Sequence, residues 1–310
     1  MFEDEKLISK KDMKLLVSVF CTTYNHEFYI EQALDSFLMQ KTDFEFEIII
    51  HDDASTDNTK AILINYRNKF PNKIKLILQE ENIFNNKDLD CFIDFAFPIM
   101  TGEFIAFCEG DDYWIDHLKL QTQVDLMLQN LEYSFSAHNT YENKDDLSIR
   151  LFSSKKNKVE YSLEDFLKNN LIHTSSVLFR KSDIPKELFS NEYKQLFYKD
   201  WIINLLLLKE KKMIYIPNIM SVRRMHSQSM WGPKDYSYLA QKTIDVFEIV
   251  ISANWFNLEI NEKLKYYNIN LLKKNILNNY DPTKEKGILP KLLNMFINKI
   301  ITILTKLKIK

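Results

Sequence analysis

An apolar run that ends in a group of acids places the strongest constraint on how this chain can fold. The stretch Glu103-Phe-Ile-Ala-Phe-Cys-Glu-Gly-Asp-Asp-Tyr-Trp114 passes directly from apolar residues to Glu109, Asp111 and Asp112. A short apolar run bounded by Gly and acids predicts a buried strand. Three carboxylates at the end of such a strand repel one another, and a hard divalent cation held by their oxygens would relieve that repulsion. The local alternative, that Asp112 caps a helix beginning near Tyr113, needs only one acid.

Apolar runs alternate with amphipathic segments along the first part of the chain. This alternation predicts an α/β fold, a Rossmann-like and mainly parallel central sheet flanked by helices. Predicted strands cover 15–21, 46–50, 74–78 and 104–108, and predicted helices cover 26–39, the segment around 62–66, and 88–100. Ligands of such sheets bind beyond the carboxyl ends of the strands. We therefore expect three polar groups to converge there: Thr22 to Asn25, Asp52 with Asp53, and Glu109 to Asp112.

The second part of the chain continues with weaker signals. Residues 141–161 carry many charges and few apolar anchors, which predicts an excursion from the sheet. A strand is predicted at 173–179, an apolar helix at 202–208, a last strand at 213–216 and a polar, basic loop at 220–231. From about Pro233 strand patterns give way to helical periodicity. We predict two domains, residues 1–232 and a helical C-terminal region at 233–310.

Composition excludes several classes of protein. The net charge of −2 provides no basic field, so we expect no nucleic-acid partner. Only four glycines occur, and neither a P-loop nor a G-x-G-x-x-G turn is present. The three cysteines lack metal-site spacing and indicate core residues in a reducing compartment. The acidic N-terminus does not resemble a secretory signal, so we expect a cytoplasmic location.

Three motifs in this order and spacing resemble the family-2 glycosyltransferases of the GT-A fold. They are Val17-Ser-Val with Thr23-Tyr-Asn25, then Ile49-Ile-His-Asp-Asp-Ala-Ser-Thr-Asp-Asn-Thr59, then Gly102 to Trp114. The resemblance covers roughly residues 14 to 231, and the Glu-Gly-Asp-Asp-Tyr-Trp form resembles a bacterial subgroup found with surface-polysaccharide synthesis. It implies an enzyme, a hexosyltransferase-type glycosyltransferase, that uses a UDP-sugar with Mn²⁺ or Mg²⁺.

The resemblance also implies roles for individual residues. Thr22 and Tyr24 would line the nucleotide base pocket, Asp53 would contact uracil, and Asp111 would bond the ribose. Asp112 would bind the divalent ion, with Glu109 and Asp111 as further candidate ligands. The family's D-x-D pattern stands here as Glu109-Gly110-Asp111 followed by Asp112. The pattern therefore leaves open which of these acids ligates the metal directly.

Two later segments extend this assignment. Asp200, in Tyr198-Lys-Asp-Trp201, matches the family's catalytic base, which takes the proton of an acceptor hydroxyl while the metal stabilises the departing diphosphate. Its alternative is a helix N-cap, and both roles are compatible. Arg224 and His226 resemble a late Arg-x-His loop and would bind the diphosphate or metal, or else face solvent. His173 would face the acceptor or be a buried core histidine.

The last residues form a basic, acid-free segment, 289–310. On a helix it would be amphipathic, which predicts either a helix on an anionic membrane surface or a helix packed on the catalytic domain or a second subunit. Membrane contact on the inner face of the cell membrane would suit a lipid-linked acceptor.

The leading hypothesis is thus a metal-dependent inverting glycosyltransferase that moves a sugar from a nucleotide-sugar to a glycan or lipid-linked saccharide. The alternatives are a sugar-nucleotide nucleotidyltransferase and a non-catalytic nucleotide- or carbohydrate-binding protein on the same scaffold. The first would need a glycine-rich, basic early loop for a triphosphate, and Thr22 to His26 contains none. Retention of Asp53, Asp112 and Asp200 together argues against the second.

Overall fold

The computed structural model describes residues 15–144, 149–151, 158–167, 169–226 and 236–279. These residues separate into two compact units. One runs to Lys194 and resumes at Asp200, and the other comprises Gln195–Lys199 and the described residues from Tyr236 onward. The predicted boundary at 232/233 and the predicted tail helix at 289–310 both lie outside the described residues, so both stay predictions. Within the described part, no helix is long and apolar enough to cross a bilayer.

The described chain contains ten strands and eight α-helices, with short 3-10 and π turns between them. The strands are β1 Leu15–Thr23, β2 Glu45–Asp52, β3 Ile74–Leu78, β4 Phe104–Phe107, β5 Tyr113–Trp114, β6 Tyr133–Lys144, β7 Ile149–Leu151, β8 Glu160–Tyr161, β9 Leu178–Arg180 and β10 Lys212–Met225. The helices are α1 Ile30–Leu38, α2 Thr59–Lys69, α3 Lys119–Gln129, α4 Leu163–Phe166, α5 Asn191–Lys194, α6 Lys199–Leu207, α7 Tyr236–Ser252 and α8 Leu258–Asn279.

All ten strands belong to one sheet of order β3-β2-β1-β4-β9-β6-β10-β5, with β7 on β6 and β8 on β10. β1, β2, β3 and β4 are mutually parallel, as predicted. Beyond β4 the sheet is mixed, because β9 runs antiparallel to both β4 and β6 while β10 runs parallel to β6. The α/β class is confirmed, and the parallel part of the sheet is the part nearest the predicted site.

The strand order reverses at β1, and this reversal positions the site. β1 pairs with β2 on one side and with β4 on the other; the chain leaves β1 toward β2 and β3 and then crosses back to place β4 on the other side of β1. Open α/β sheets form their ligand crevice at such a point. The polar groups that follow β1 and β4 therefore meet at one edge.

A buried carboxylate, Glu47, lies near the opposite end of these strands, away from their carboxyl ends. Glu47 of β2 accepts hydrogen bonds from Ser18 Oγ at 2.7 Å and from the Thr101 backbone N–H at 2.7 Å. Its second oxygen pairs with Lys75 Nζ at 2.6 Å. Since a buried carboxylate is costly unless it is paired and hydrogen-bonded, this network stabilises the register of the four strands.

Several predicted elements differ from those observed. The predicted helix at 88–100 is only a π turn, Cys91–Ala96, followed by a 3-10 turn, Phe97–Ile99. The predicted strand at 173–179 begins as a 3-10 turn, Thr174–Ser176, because the Ser176 N–H bonds back to the His173 carbonyl. β6 was not predicted, since its alternating polar residues pair within the sheet and are buried there.

The largest difference is at β10, which was predicted to end at Ile216 and to be followed by a loop. The strand instead continues to Met225, paired with β6 along its length through irregular register. Arg223 and Arg224 therefore lie on a strand, and His226 follows it directly. This extension brings a basic segment to the acidic edge of the sheet.

From Tyr236 onward, the described residues of the second unit form two helices, α7 and α8, joined by a turn. α7 and α8 pack against each other. The turn between them uses Asn254 at a positive φ of 52°, and the Asn257 side chain accepts from the Ile260 N–H at 2.9 Å at the start of α8. Asn suits both positions because its short side chain tolerates left-handed backbone and caps helices.

Candidate active site

The loop after β4 carries the three predicted acids and is held against the end of β1. The Gly110 N–H donates to the Thr22 carbonyl at 2.8 Å, and the Asp112 N–H donates to the Glu109 carbonyl at 3.1 Å. A Cβ at position 110 would lie 2.8 Å from Thr23 Oγ1 and 2.9 Å from Thr23 Cβ. Only glycine permits this close approach, and it turns the acids on either side into the crevice.

Two histidines surround Asp111. His226 Nε2 lies 3.1 Å from Asp111 Oδ2, and His26 Nε2 lies 4.0 Å from the same oxygen. Burial opposes ionisation of this carboxyl, but the hydrogen bond with His226 and the charge of His26 outweigh it, so the pKa of Asp111 lies below its ordinary value. Among the three acids of this loop, Asp111 is therefore the one whose surroundings favour the ionised form.

Glu109 and Asp112, unlike Asp111, have raised pKa values. Their carboxyl groups are within hydrogen-bonding reach of each other, and His173 Nδ1 lies 3.6 Å from Asp112 Oδ2. Burial, with the charges of Asp111 and Asp200, raises the pKa of Glu109 to about 8, and burial with Asp111 and Glu109 raises the pKa of Asp112. Burial also lowers the pKa of His173 to about 3, so its imidazole is neutral. Two carboxylates and a neutral imidazole are a suitable donor set for a divalent cation.

Arg224 joins the end of β10 to the acidic loop. Its backbone N–H donates to Asp112 Oδ1 at 2.9 Å, and its guanidinium donates to the Asp111 carbonyl and to Gln32 Oε1. The guanidinium carbon lies 4.4 Å from the Tyr113 ring centre and 5.3 Å from that of Tyr29. This packing of a cation against aromatic faces fixes Arg224 beside the acids.

The predicted nucleotide-binding residues follow β1 and β2 in two joined turns. Asp53 Oδ1 accepts from the Ile83 N–H at 2.7 Å, and the Asp53 N–H donates to the Thr23 carbonyl at 3.0 Å. Thr22 is half-buried, and Tyr24 is 43% exposed in the turn that follows. Asp52 is buried and accepts from Ser55, so Asp52 ties the turn while Asp53 stays half-buried at the edge.

The two turns are joined by hydrogen bonds around Asn25, whose φ of 54° is left-handed. The Asn25 N–H donates to Ser55 Oγ at 2.9 Å, and Asn25 Oδ1 accepts from the Thr56 N–H at 2.8 Å. His26 N–H donates to Thr59 Oγ1 at 2.8 Å. These bonds make the base of the crevice rigid.

Asp200 lies in the first turn of α6. Asn170 Nδ2 donates to Asp200 Oδ2 at 3.0 Å, and the Trp201 backbone also bonds the carboxyl. Burial outweighs these bonds and raises the pKa of Asp200. The carboxyl lines a small pocket together with Phe107, Thr174, Val177, Phe179, Ile203 and Asn204. An acid with a raised pKa in a largely apolar pocket has the properties of a general base.

The structure thus brings most of the predicted residues together around the acidic loop. Glu109, Asp111, Asp112, Arg224 and His226 are in mutual contact or joined through one another. The same structure adds residues that the sequence did not single out: His26, Tyr29, Gln32 and Arg223. His26 immediately follows the polar turn after β1, which is the signal that could have identified it. Tyr29 stacks on His226 at 4.5 Å, and Arg223 pairs with Glu142 at 3.1 Å.

Comparison with known proteins gave three kinds of match. A family model described as Glycosyl transferase family 2 matches residues 18–186, more than half of the 310 residues. An uncharacterised protein of Mycobacterium tuberculosis is 32% identical over 222 residues, which are 69% of this chain and 60% of that protein. The chain therefore spans less than two thirds of the length of this relative.

A shorter match is to the UDP-Glc:alpha-D-GlcNAc-diphosphoundecaprenol beta-1,3-glucosyltransferase WfgD of Escherichia coli, 34% identical over 115 residues, 37% of this chain and 42% of that protein. Among solved structures, that of Staphylococcus aureus TarS 1-349 in complex with UDP aligns with a TM-score of 0.58 and 19% identity, covering 83% of this chain and 71% of that TarS 1-349 chain. The likeness to TarS confirms the predicted fold.

Proposed function

The chain belongs to glycosyl transferase family 2, as its motifs predicted, and we propose that it is an inverting glycosyltransferase that uses a UDP-sugar. The observation that carries the proposal is the carboxyl pair Glu109 and Asp112 at the crevice of the sheet, with the charge of Asp200 acting on Glu109. A pair of acids for a cation and a separate acid for a proton are what transfer from a sugar nucleotide requires.

The donor side of the site would be formed by the turns after β1 and β2. Thr22 and Tyr24 would contact the base, Asp53 the uracil ring, and Asp111 the ribose. UDP as the nucleotide is supported by the TarS complex and by the UDP-Glc named for WfgD. Arg224 and His226, which already contact the acidic loop, would meet the negative charge of the diphosphate.

Asp112 and Glu109 would hold a divalent ion, and the donor set fits one because two carboxyl groups with raised pKa values face a neutral imidazole. When bound, Mn²⁺ or Mg²⁺ would supply positive charge to stabilise the departing diphosphate. The protein's own contribution is to orient Asp112 through the Arg224 N–H and to limit water around it by burial, since Asp112 is only 2% exposed.

Asp200 would accept the proton of the acceptor hydroxyl as that oxygen attacks the anomeric carbon. The small pocket beside it is lined by Phe107 and the buried Phe179, and this apolar lining supports the raised pKa that a proton acceptor needs. A single displacement of this kind inverts the anomeric configuration. WfgD is named for a diphosphoundecaprenol acceptor, which supports a glycan or lipid-linked saccharide as the acceptor here.

The test is to incubate the full chain with a panel of UDP-sugars and Mn²⁺ and to follow release of UDP. We expect one or a few sugars to give UDP, and Asp112→Asn to abolish its release. Tight UDP binding without release from any sugar would contradict the proposal and indicate a binding protein. Formation of a UDP-sugar from UTP and a sugar 1-phosphate, with release of pyrophosphate, would instead indicate a nucleotidyltransferase.

A further inference from the structure

Asn170 contacts two side chains of α6 at once. Its Nδ2 donates to Asp200 Oδ2 at 3.0 Å, and its Oδ1 accepts from Asn204 Nδ2 at 3.3 Å. Residues 200 and 204 are four positions apart in the helix and therefore lie on the same face, one turn from each other. The side-chain amide of Asn170 thus spans this face of α6, although no motif in the sequence singles the residue out.

The segment that carries Asn170 is anchored to the core of the protein. Leu167 and Ile172, which flank Asn170 in the sequence, are both buried. Trp201 Nε1 donates to the Phe166 carbonyl at 2.9 Å, so α6 is also bonded to the end of α4 just before this segment. Asn170 therefore approaches α6 from a backbone that is fixed on both sides of it.

The partners of Asn170 determine which end of its amide faces Asp200. An ionised carboxylate can only accept hydrogen bonds, so the amide must present its Nδ2 to Asp200. Asn204 is buried and donates to the oxygen end of the same amide, which leaves the nitrogen end for the carboxyl. A hydrogen bond from a donor that is itself held in place fixes the direction in which the carboxyl points.

The charge balance at Asp200 makes this hydrogen bond important. Burial raises the pKa of Asp200, whereas backbone N–H groups at the start of α6 and the Asn170 amide oppose that rise, because they stabilise the ionised carboxylate. The charge of Arg223 on β10 also lowers the pKa of Asp200. Two further ionisable groups interact with the charge of Asp200: Glu109 of the acidic loop and Tyr193 of α5.

We propose that Asn170, itself held by Asn204, is a positioning residue that orients the Asp200 carboxylate for the acceptor hydroxyl. The proposal rests on the proposed function for the role of Asp200 as proton acceptor, whereas the hydrogen bond can be tested without any substrate. Without the Asn170 amide, Asp200 would keep the burial that favours its protonated form and lose a hydrogen-bond donor that favours its ionised form. Both the direction of the carboxyl and its readiness to accept a proton would then change.

The first measurement is the titration of Asp200 in the full chain without Mn²⁺, by ¹³C NMR of protein labelled at the aspartate carboxyl carbons. The Asp200 signal is assigned by its absence from Asp200→Asn. Asn170→Leu is the test variant, because Leu has a similar shape and no hydrogen-bond donor, and Asn169→Leu, at the exposed neighbouring position, is the matched control. We expect the pKa of Asp200 to rise by about one to two pH units in Asn170→Leu, as for a lost hydrogen bond to a charged group, and to stay unchanged in the control.

The second measurement is the pH profile of sugar transfer with saturating Mn²⁺ and UDP-sugar. At pH values below the acidic limb of the wild-type profile, kcat of Asn170→Leu should be about ten- to hundredfold lower, because each pH unit changes the ionised fraction of Asp200 tenfold. Most of this loss should be regained at higher pH, and KM for the UDP-sugar should be unchanged. A residue that only stabilised the fold would not shift the pH profile.

Three results would overturn the proposal: an Asp200 pKa that is the same in Asn170→Leu and wild type, an equal rise in Asn169→Leu, or a pH profile of transfer that stays unchanged while the pKa rises. Asn204→Leu should raise the pKa of Asp200 by a smaller amount, and no rise would remove Asn204 from the proposal.

Asn170→Asp, with Asn169→Asp as its control, is used if Asn170→Leu fails to fold. Asp keeps an acceptor for Asn204 and places a second carboxylate beside Asp200, so the same rise in pKa is expected. If the wild type shows the expected NMR titration difference but releases UDP from no UDP-sugar, the proposed function is contradicted and the hydrogen bond that orients Asp200 stands.

Discussion

At the scale of residues, the acidic loop assigns different tasks to neighbouring carboxyl groups. The pKa of Asp111 is lowered beside its histidines, whereas burial and mutual repulsion raise the pKa values of Glu109 and Asp112. Asp200, whose pKa is also raised, lies in a separate pocket. Similar acids thus acquire different properties from their surroundings, as the proposed roles of holding a cation and accepting a proton require.

Asp200→Asn is expected to lower the rate of sugar transfer to an acceptor, followed as UDP release, by about 10²- to 10⁴-fold. This is the usual contribution of a general base. Asn keeps the size of the side chain, so UDP affinity should be unchanged. Initial rates with saturating donor, compared with calorimetric binding of UDP, measure both. Glu192→Gln, an exposed acid in the first turn of α5, is the control. Full activity of Asp200→Asn would exclude it as the base.

Mn²⁺ affinity is expected to rise with pH up to about 8, where Glu109 loses its proton. Below that pH the ion must displace a proton from the carboxyl, which costs about tenfold in affinity per pH unit for each proton displaced. Glu109→Gln should bind Mn²⁺ more weakly and with a pH slope smaller by one proton. Calorimetric titrations at pH 6, 7 and 8 give both slopes. Identical slopes in the two proteins would contradict the assignment.

At the scale of elements, the carboxyl end of β1 is in direct contact with the loop after β4. Gly110→Ala is expected to push the loop away from Thr23, to destabilise the protein by about 1 to 3 kcal/mol and to weaken Mn²⁺ binding. Adding Thr23→Ala to this variant removes the contact with Thr23 Oγ1 and should restore part of the lost stability and part of the lost Mn²⁺ affinity. Thermal unfolding and Mn²⁺ titration are the measurements. Mn²⁺ affinity unchanged in Gly110→Ala would show that the loop does not depend on this contact.

α3 begins with a lysine that is fully buried. Lys119 Nζ donates to Gln123 Oε1 at 2.6 Å and lies 4.2 Å from the centre of the Trp114 ring. Burial lowers its pKa to about 7. Between pH 7 and about 10 the unfolded chain therefore holds a proton on this lysine that the folded protein does not, so this group makes stability rise with pH.

Lys119→Met is expected to remove that contribution. The free energy of unfolding of the wild type, measured relative to the variant, should rise by at most about 1.4 kcal/mol per pH unit from pH 7 to about 10. Urea unfolding of both proteins at several pH values measures the difference. Lys158, half or more exposed, gives the control Lys158→Met, whose difference from wild type should not vary in this way. If the difference in unfolding free energy between the wild type and Lys119→Met does not vary with pH, Lys119 stays protonated in the folded protein.

At the scale of the whole molecule, the C-terminal tail is the remaining sequence prediction. Deletion of residues 289–310 is expected to abolish sedimentation of the protein with anionic phosphatidylglycerol liposomes, because it removes the basic segment that would be attracted to the lipid surface. Neutral phosphatidylcholine liposomes are the control. Undiminished binding of the truncated chain would refute the membrane role, and a lower oligomeric mass after deletion would instead favour packing on a second subunit.

The sequence by itself determined the early alternation of strands and helices, the polar ends of β1, β2 and β4, and the family. These follow from patterns of neighbouring residues, because apolar periodicity and turn-forming residues act locally. The sequence did not predict β6 or the length of β10, whose buried polar residues are satisfied only by cross-strand pairing.

Only the tertiary structure decided how the acids are used. The Arg224 N–H meets Asp112 across 112 positions of sequence, and His226 meets Asp111 across 115. His173 reaches the acid pair only because the chain turns before β9. Which carboxyl group has a lowered pKa and which a raised one depends on contacts between segments distant in the chain, and such contacts are set by packing of the sheet, not by any local pattern.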